Sequence, residues 1–314
     1  MEIKLLELFG GIGAPRKALE NIGIDVKSVG YVEIDEKAVR SYNAIFKENY
    51  KTCDINNYNV TNKKVDILFH GSPCQDFSIA GNKLGGEQGS GTRSSLMFRT
   101  LEIIEKMEPR PSVVIWENVK NVLSKKMKSA FEAYLSKMEE LGYKNTYKVL
   151  NSLDFGVAQS RERIYVVSTL GTKFNFSGLE NKEALKVQDF LEKTELEKYI
   201  VSQPSMLKKI EKTDISRAVP IIKDYCYTIT TKQMRCPNAG VIELSDGRYR
   251  YLTERECWRL MGFDDADFEA AAKEQNLNNR YLNSALYKQA GNSIVVNVLE
   301  AIFKELVLHD ENFC

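Results

Sequence analysis

Short, near-continuous apolar runs alternate through the first 172 residues with stretches whose apolar positions recur every three or four residues. Segments 3–9, 65–69, 112–116 and 164–169 predict strands, and another strand ends near Val32-Glu33. Runs this apolar mark strands buried on both faces of a parallel sheet. Between them, Pro15 suits the first turn of a helix carrying Ala18, Leu19 and Ile22. Asp35 is placed to cap a second helix, with Ala38, Val39, Tyr42, Ile45 and Phe46 on one stripe. Segments 94–107 and 128–141 predict two more helices. Repeated β-α alternation predicts an α/β fold with a doubly wound, mostly parallel sheet.

Beyond residue 172 the pattern breaks. Residues 173–250 are polar, irregular and punctuated by Gly and Pro. Order returns at the capping box Thr253-x-x-Glu256. A strongly apolar helix follows over 293–308. At 314 residues the length suggests about two domains, the second smaller and irregular.

Composition narrows the class. With 43% apolar and 28% charged residues the chain is too apolar for disorder. Lys and Arg number 44 against 43 acids, a net +1 that excludes a uniformly basic coat protein but not a local basic cleft. The six cysteines are scattered without a C-x-x-C pair, and the histidines are His70 and His309, so no metal site is expected. The opening segment lacks a secretory h-region and no 18-residue apolar run occurs. The expectation is a cytoplasmic protein with reduced thiols and no membrane partner.

In an open α/β sheet, ligands bind beyond the carboxyl ends of the strands. Four groups fall there: the glycine cluster 10–13 after the first strand, Glu33 after the second, Cys74 after the third and Glu117 after Trp116. A glycine loop with an acid some twenty residues later fits a ribose-bearing ligand. Arg16 stands where a dinucleotide fingerprint needs a third glycine, so a nucleoside without pyrophosphate fits better, S-adenosylmethionine foremost. A tight turn beside a solvent-facing Glu33 explains the same spacing without a ligand. Cys74 is a nucleophile if its surroundings lower its pKa, and otherwise a small buried hydrophobe. Five glycines between 81 and 91 suit a loop that closes over substrate, or a plain surface loop. A partly buried Glu117 would donate a proton near neutrality; capping the strand end is the alternative. Arg161 and Arg163, at alternate positions, could point to one strand face and orient Glu117 or bind an anionic or carbonyl oxygen, or remain paired surface charges.

Together these segments resemble the cytosine-C5 DNA methyltransferases of prokaryotes and phages, in that family's motif order over nearly the whole chain. The carriers are LFGGIGA, VEID (32–35), Asp54-Ile55, SPCQDFS (72–78), ENV (117–119), QSRER (159–163), LTERECWRLMGF (252–263) and QAGNSIVVNVL (289–299). The resemblance implies that Cys74 attacks C6 of a flipped cytosine while Glu117 engages N3, with Arg163 and a supporting Arg161 holding O2 and Glu117. It implies S-adenosylmethionine against Phe9, Gly11, Gly13, Glu33, Ile34, Asp54, Leu96, Asn292 and Ser293, leaving S-adenosylhomocysteine as product. It also implies a catalytic domain of 1–172 completed by 279–314, and a target-recognition domain at 173–278.

Within 208–259, eleven Lys and Arg face seven acids. Gln75, Ser78, Arg93, Thr228, Lys232, Arg235, Arg248 and Arg250 are the candidate contacts to double-stranded DNA. Glu7 and Cys53 depart mildly from the family pattern, which usually has Asp and Gly there. A related tRNA cytosine methyltransferase would share most motifs; the long 173–250 insert favours DNA. A monomer is expected, with a cognate restriction endonuclease as its functional partner.

Overall fold

The computed structural model describes residues 2–59, 63–72, 95–193, 196–210 and 218–309. In chain order the first part holds β1 (Glu2–Leu8), α1 (Ala14–Asn21), β2 (Asp25–Val32), α2 (Glu36–Phe46), β3 (Ile67–His70), α3 (Ser95–Lys106) and β4 (Val113–Val119). It continues with α4 (Lys128–Glu140), β5 (Lys144–Asn151), β6 (Gln159–Ser160) and β7 (Glu162–Thr169). Six of the strands form one sheet in the order β2-β1-β3-β4-β7-β5. β1 to β4 run parallel, and β7 is antiparallel to both of its neighbours. The expected α/β, mostly parallel sheet is present.

Strand alternation sorts the core into two layers. Ile3, Leu5, Ile67, Phe69, Val113, Ile115, Tyr165 and Val167 join one cluster. Leu6, Leu8, Leu68, Val114, Trp116, Ile164 and Val166 join the other, with Met97, Ile104, Phe131 and Tyr134 of α3 and α4. Each fully buried apolar side chain contributes roughly 1.5–3 kcal/mol. Asp35 caps α2 through the Lys37 amide at 2.9 Å, as its position predicts.

The sequence pattern misses β5. Its positions are largely exposed or half-buried, as suits an edge strand with no apolar run to reveal it. β4 also runs further than its apolar core suggests. Pairing with β7 carries it to Val119, so Glu117 lies inside the strand opposite Tyr165.

The later chain adds α5 (Pro204–Ile210), β8 (Cys226–Tyr227), β9 (Val241–Glu243) and β10 (Tyr249–Tyr251), then α6 (Glu254–Arg259), α7 (Asp265–Glu274), α8 (Ser284–Asn292) and α9 (Val296–His309). β9 pairs with β10, and β8 pairs with β6. The small cluster of Val201, Met206, Ile210, Val241 and Tyr251 lies in this region. Leu252, Trp258, Phe263 and Phe268 instead join the sheet's own core, and Gln275 donates to the Lys37 carbonyl and Ser41 of α2. Phe174, Phe176, Val187, Ile222, Cys226 and Ile229 of the irregular region join the same core, so that region is not set apart from the sheet. Among the described residues no helix is long and apolar enough to cross a membrane.

One buried charge lies behind the glycine loop. Glu7 is fully buried, and the Tyr42 hydroxyl donates to it at 2.7 Å. Tyr42 stacks on Tyr31 at 3.9 Å, and the Tyr31 hydroxyl donates to the Gly11 carbonyl. Burial pushes the Glu7 carboxyl up to about 7, against the opposing Tyr42 hydrogen bond and Arg16. Between its ordinary value of 4.5 and about 7, the folded chain keeps a proton that the unfolded chain has released. Stability thus falls across that window as pH rises. Glu7→Gln should exceed wild type in stability by up to ~3 kcal/mol above the window, and lose that advantage below it. Denaturant unfolding across pH measures the difference; a constant difference would refute the assignment.

Candidate active site and cofactor cleft

The carboxyl ends of β1, β2 and β3 open onto a cleft of about 230 Å³. Phe9, Gly11, Ile12, Glu33, Asp35, Ala38, Gly71, Lys288, Gln289 and Asn292 line it. The turn from β1 into α1 shapes its floor, with Phe9, Gly11 and Gly13 all at positive φ. Glu33 is fixed at both oxygens: Oε2 accepts from the Gly11 amide at 3.1 Å and Oε1 from the Asp35 amide at 2.8 Å. Each carboxylate oxygen keeps a further lone pair for a ribose hydroxyl. The Cys53 amide donates to the Glu33 carbonyl at 2.8 Å, which brings Asp54 to the same rim. Ile34, 68% exposed, offers an unshielded apolar face. A carboxylate at the ribose position, an aromatic beside it and amides opposite fit S-adenosylmethionine.

Of the expected cofactor residues, Phe9, Gly11, Glu33 and Asn292 line the cleft. Gly13 does not: it precedes α1, and a Cβ there would come within 2.3 Å of Phe46 and 2.8 Å of Tyr42. Its role is to let helix and core approach. Asp54 accepts from the Asn56 amide at 2.9 Å, capping a short 3-10 turn. Leu96 packs against the α3–α4 side of the core. Ser293 is buried, and its carbonyl is held by Arg161 rather than facing the cleft.

Lys288, Gln289 and Asp35 are cleft residues that the sequence pattern does not single out for this role. Lys288 pairs with Asp35 at 2.5 Å, and Gln289 donates to the Lys37 carbonyl at 2.9 Å. Partial burial works to raise the Asp35 carboxyl, but the Lys288 ammonium and backbone amides outweigh it and hold it below its usual range. Asn283 caps α8. Recognising that cap would have placed 288, 289 and 292 on one helix face.

Beside the cleft, Glu117 is 11% exposed and pairs with Arg163 Nε at 3.2 Å. Burial drives its carboxyl upward, against the positive charges of Arg163 and then Arg161, and the net shift is up. Adjacent strands in register place it one residue beyond the His70–Trp116 pair, level with the start of the segment that leads to Cys74. The root of that segment is anchored: the Ser72 carbonyl accepts from Trp116 Nε1 at 3.2 Å and Asn118 Nδ2 at 2.9 Å. Cys74, Gln75, Ser78, Arg93 and the glycine-rich stretch between 81 and 91 lie outside the described residues.

Arg161 is not bonded to Glu117. It is buried, and donates to the carbonyls of Ile229, Gly291 and Ser293. Among the proposed DNA contacts, Lys232 and Arg235 are exposed on the turn after Thr228, whose hydroxyl donates to the Ser160 carbonyl at 3.0 Å. Arg248 is exposed but pairs with Asp246 and Glu197. Arg250 is turned away from solvent, its side chain 5% exposed and its two terminal nitrogens each 2.8 Å from Glu256. It is a structural pair and not a phosphate contact. Among the described residues no group of three His, Cys, Asp or Glu is placed to hold a metal.

This sheet, with its cofactor cleft and adjoining buried carboxylate, defines a methyltransferase fold. The solved Dnmt2 methyltransferase of S. pombe shares it, with a TM-score of 0.79 at 23% identity and 98% coverage of both chains. So does a putative DNA modification methyltransferase encoded within an E. coli prophage, at 0.72, 17% identity and 98% and 99% coverage. Residues 3–308 match the family of C-5 cytosine-specific DNA methylases, and the chain belongs to that family of S-adenosylmethionine-dependent enzymes. The type II methyltransferase M2.ScrFI of Lactococcus lactis subsp. cremoris is 31% identical over 97% of this chain and 99% of its own length. Type II methyltransferase M.HhaI of Haemophilus parahaemolyticus is likewise 31% identical, over 96% of this chain and 93% of its own length.

Removing one partner of a buried ion pair strands the other charge, at about 3–5 kcal/mol. Arg250→Ala should therefore lower unfolding free energy by that amount, whereas Lys232→Ala and Arg235→Ala should stay within about 0.5 kcal/mol of wild type. Equilibrium denaturation separates the two classes; a fully stable Arg250→Ala protein would contradict the structural assignment.

Proposed function

We propose that the protein methylates C5 of a cytosine flipped out of a specific duplex DNA sequence, through a covalent adduct with Cys74. The observation that carries this reading is Glu117, a nearly buried carboxyl held at 3.2 Å by Arg163 on the strand beside the one leading to Cys74. Burial raises its pKa, which favours the protonated form that donates a hydrogen bond to cytosine N3. That withdraws electron density from the ring as the Cys74 thiolate adds at C6. Arg163 keeps the carboxyl oriented and takes the base's O2. Bound S-adenosylmethionine supplies an electrophilic methyl group. Glu33 and Phe9 would hold its nucleoside and Asn292 its methionine end, on the side of the sheet where Glu117 would hold the cytosine. A base then removes the C5 proton and the Cys74–C6 bond breaks, restoring aromaticity and the thiolate.

Extruding the base costs a few kcal/mol. Contacts of the duplex with Thr228, Lys232 and Arg235, and with Gln75, Ser78 and Arg93 of the undescribed segment, offset that cost. The type II methyltransferases among the relatives support a cognate restriction endonuclease as functional partner.

Label from S-adenosylmethionine should enter duplex DNA at one sequence context and leave tRNA unlabelled; bisulfite sequencing locates the cytosine. Label confined to tRNA would overturn the substrate assignment. Glu117→Ala should lower kcat by about 10²–10⁴. Glu117→Gln, which retains an N–H donor, should lose less, and equal losses would argue against donation to N3. Single-turnover kinetics on saturating DNA measures both.

A further inference from the structure

Three segments far apart in sequence meet at one guanidinium. Arg161 Nη1 donates to the Ile229 carbonyl at 2.9 Å, while Nη2 reaches the carbonyls of Gly291 at 3.2 Å and Ser293 at 2.8 Å. The other side of Ile229 is held as well, since its amide donates to Gln159 Oε1 at 3.0 Å. Thr228 is pinned to Ser160 next door. The sequence Gln159-Ser160-Arg161 is thus a socket for Thr228-Ile229, and its last side chain also grips the end of α8.

The fit across this junction is close. A Cβ on Gly291 would fall 2.3 Å from the Thr231 amide nitrogen and 2.4 Å from the Thr230 carbonyl carbon. Gly291 and Ser293 flank Asn292, which lines the cofactor cleft with Lys288 and Gln289 of the same helix. On the opposite side, Thr228-Ile229 leads into the turn that exposes Lys232 and Arg235. Among the described residues no carboxylate neutralises the guanidinium by direct bonding, and burial holds it below its ordinary value, at about 10. A buried cation is an expensive way to fill space. Its use is geometric: a planar fork of five donors can bind carbonyls that diverge.

We propose that Arg161 is a positioning residue that couples occupancy of the cofactor cleft to occupancy of the DNA-facing turn. This rests on the DNA methyltransferase reading above. Cofactor contacts to Asn292 restrain the end of α8; the guanidinium passes that restraint to Ile229, and DNA contacts on the turn pass it back. Coupling of this kind is reciprocal, and a second ligand meets a junction already ordered by the first. Arg161 therefore acts on binding of both partners rather than on the reacting atoms.

Calorimetric titration of S-adenosylhomocysteine into the protein, alone and with a duplex bearing the methylated sequence, tests this. In wild type the duplex should tighten binding about tenfold, a typical coupling. In Arg161→Lys, whose single ammonium cannot span both sides, that ratio should fall below about twofold while affinity without DNA changes little. Gly291→Ala, which keeps the guanidinium but drives a methyl into the Thr230–Thr231 backbone, should lose the coupling too, and decides the matter should Arg161→Lys not fold. An unchanged ratio in the variants, a parallel loss of both affinities at constant ratio, or a wild-type ratio of one would overturn the proposal. Wild type that methylates DNA while the variants keep the ratio refutes the coupling alone. Wild type without DNA methylation refutes the activity beneath it.

Discussion

The antiparallel pairing of β7 with β4 is the constraint on which the site depends. It carries β4 past its apolar stretch, fixes Glu117 opposite Tyr165, and brings Arg163 opposite Val119 at the strand's end. Alternation then puts residues 117 and 163 on the face that also holds Tyr165 and Ile115. A carboxylate placed there without a cation would bear a desolvation cost of several kcal/mol. Arg163 at 3.2 Å offsets part of it, and the remaining cost is what raises the pKa. The chemistry expected of Glu117 is therefore a consequence of sheet register: a strand ending two residues earlier would leave the carboxyl in solvent with an ordinary acidity.

The two arginines of the QSRER segment divide their work. Arg163 stands at the carboxyl, whereas Arg161 is drawn to backbone carbonyls of Ile229 and the α8–α9 junction. Both charges still act on Glu117 through space. One tripeptide and the strand that follows it thus contact Glu117, Thr228-Ile229 and the end of α8.

Much of this is legible in the sequence because burial leaves a pattern. β1, β3 and β4 are covered on both faces and read as apolar runs; Asp35 and Thr253 announce the helices they cap. What stays hidden lacks such a local signature. β5 is a polar edge strand. Arg161 meets partners 68, 130 and 132 residues away, so nothing near it in sequence distinguishes it from a surface arginine. Gly13 and Gly11 share a motif, yet one faces the core and the other the cleft. That difference resides in α2, whose Tyr42 and Phe46 stand against Gly13 and not against Gly11. Arg250 shows the same limit from the other side: charge type is visible, but its neutralisation by Glu256 becomes apparent only once β10 and α6 pack together.

The local positive excess of 208–259 takes on a different meaning in three dimensions. Arg250 is spent on Glu256, Arg255 on Glu192 and Glu269, Arg259 on Asp265, and Arg248 on Asp246 and Glu197. These pairs lie where the irregular region adjoins the main core, and they fasten a segment whose own apolar cluster is small. Among the described residues of the expected contacts, Lys232 and Arg235 remain exposed and without an ion pair. Their turn is the stretch that the Gln159–Arg161 socket holds against the catalytic sheet. Lys232 and Arg235 thus stand on a stretch that is fastened to the sheet by hydrogen bonds on both sides of Ile229. Were a duplex to meet this surface as proposed, a cation on a tethered turn would set its position relative to Glu117 more firmly than one on a loose loop.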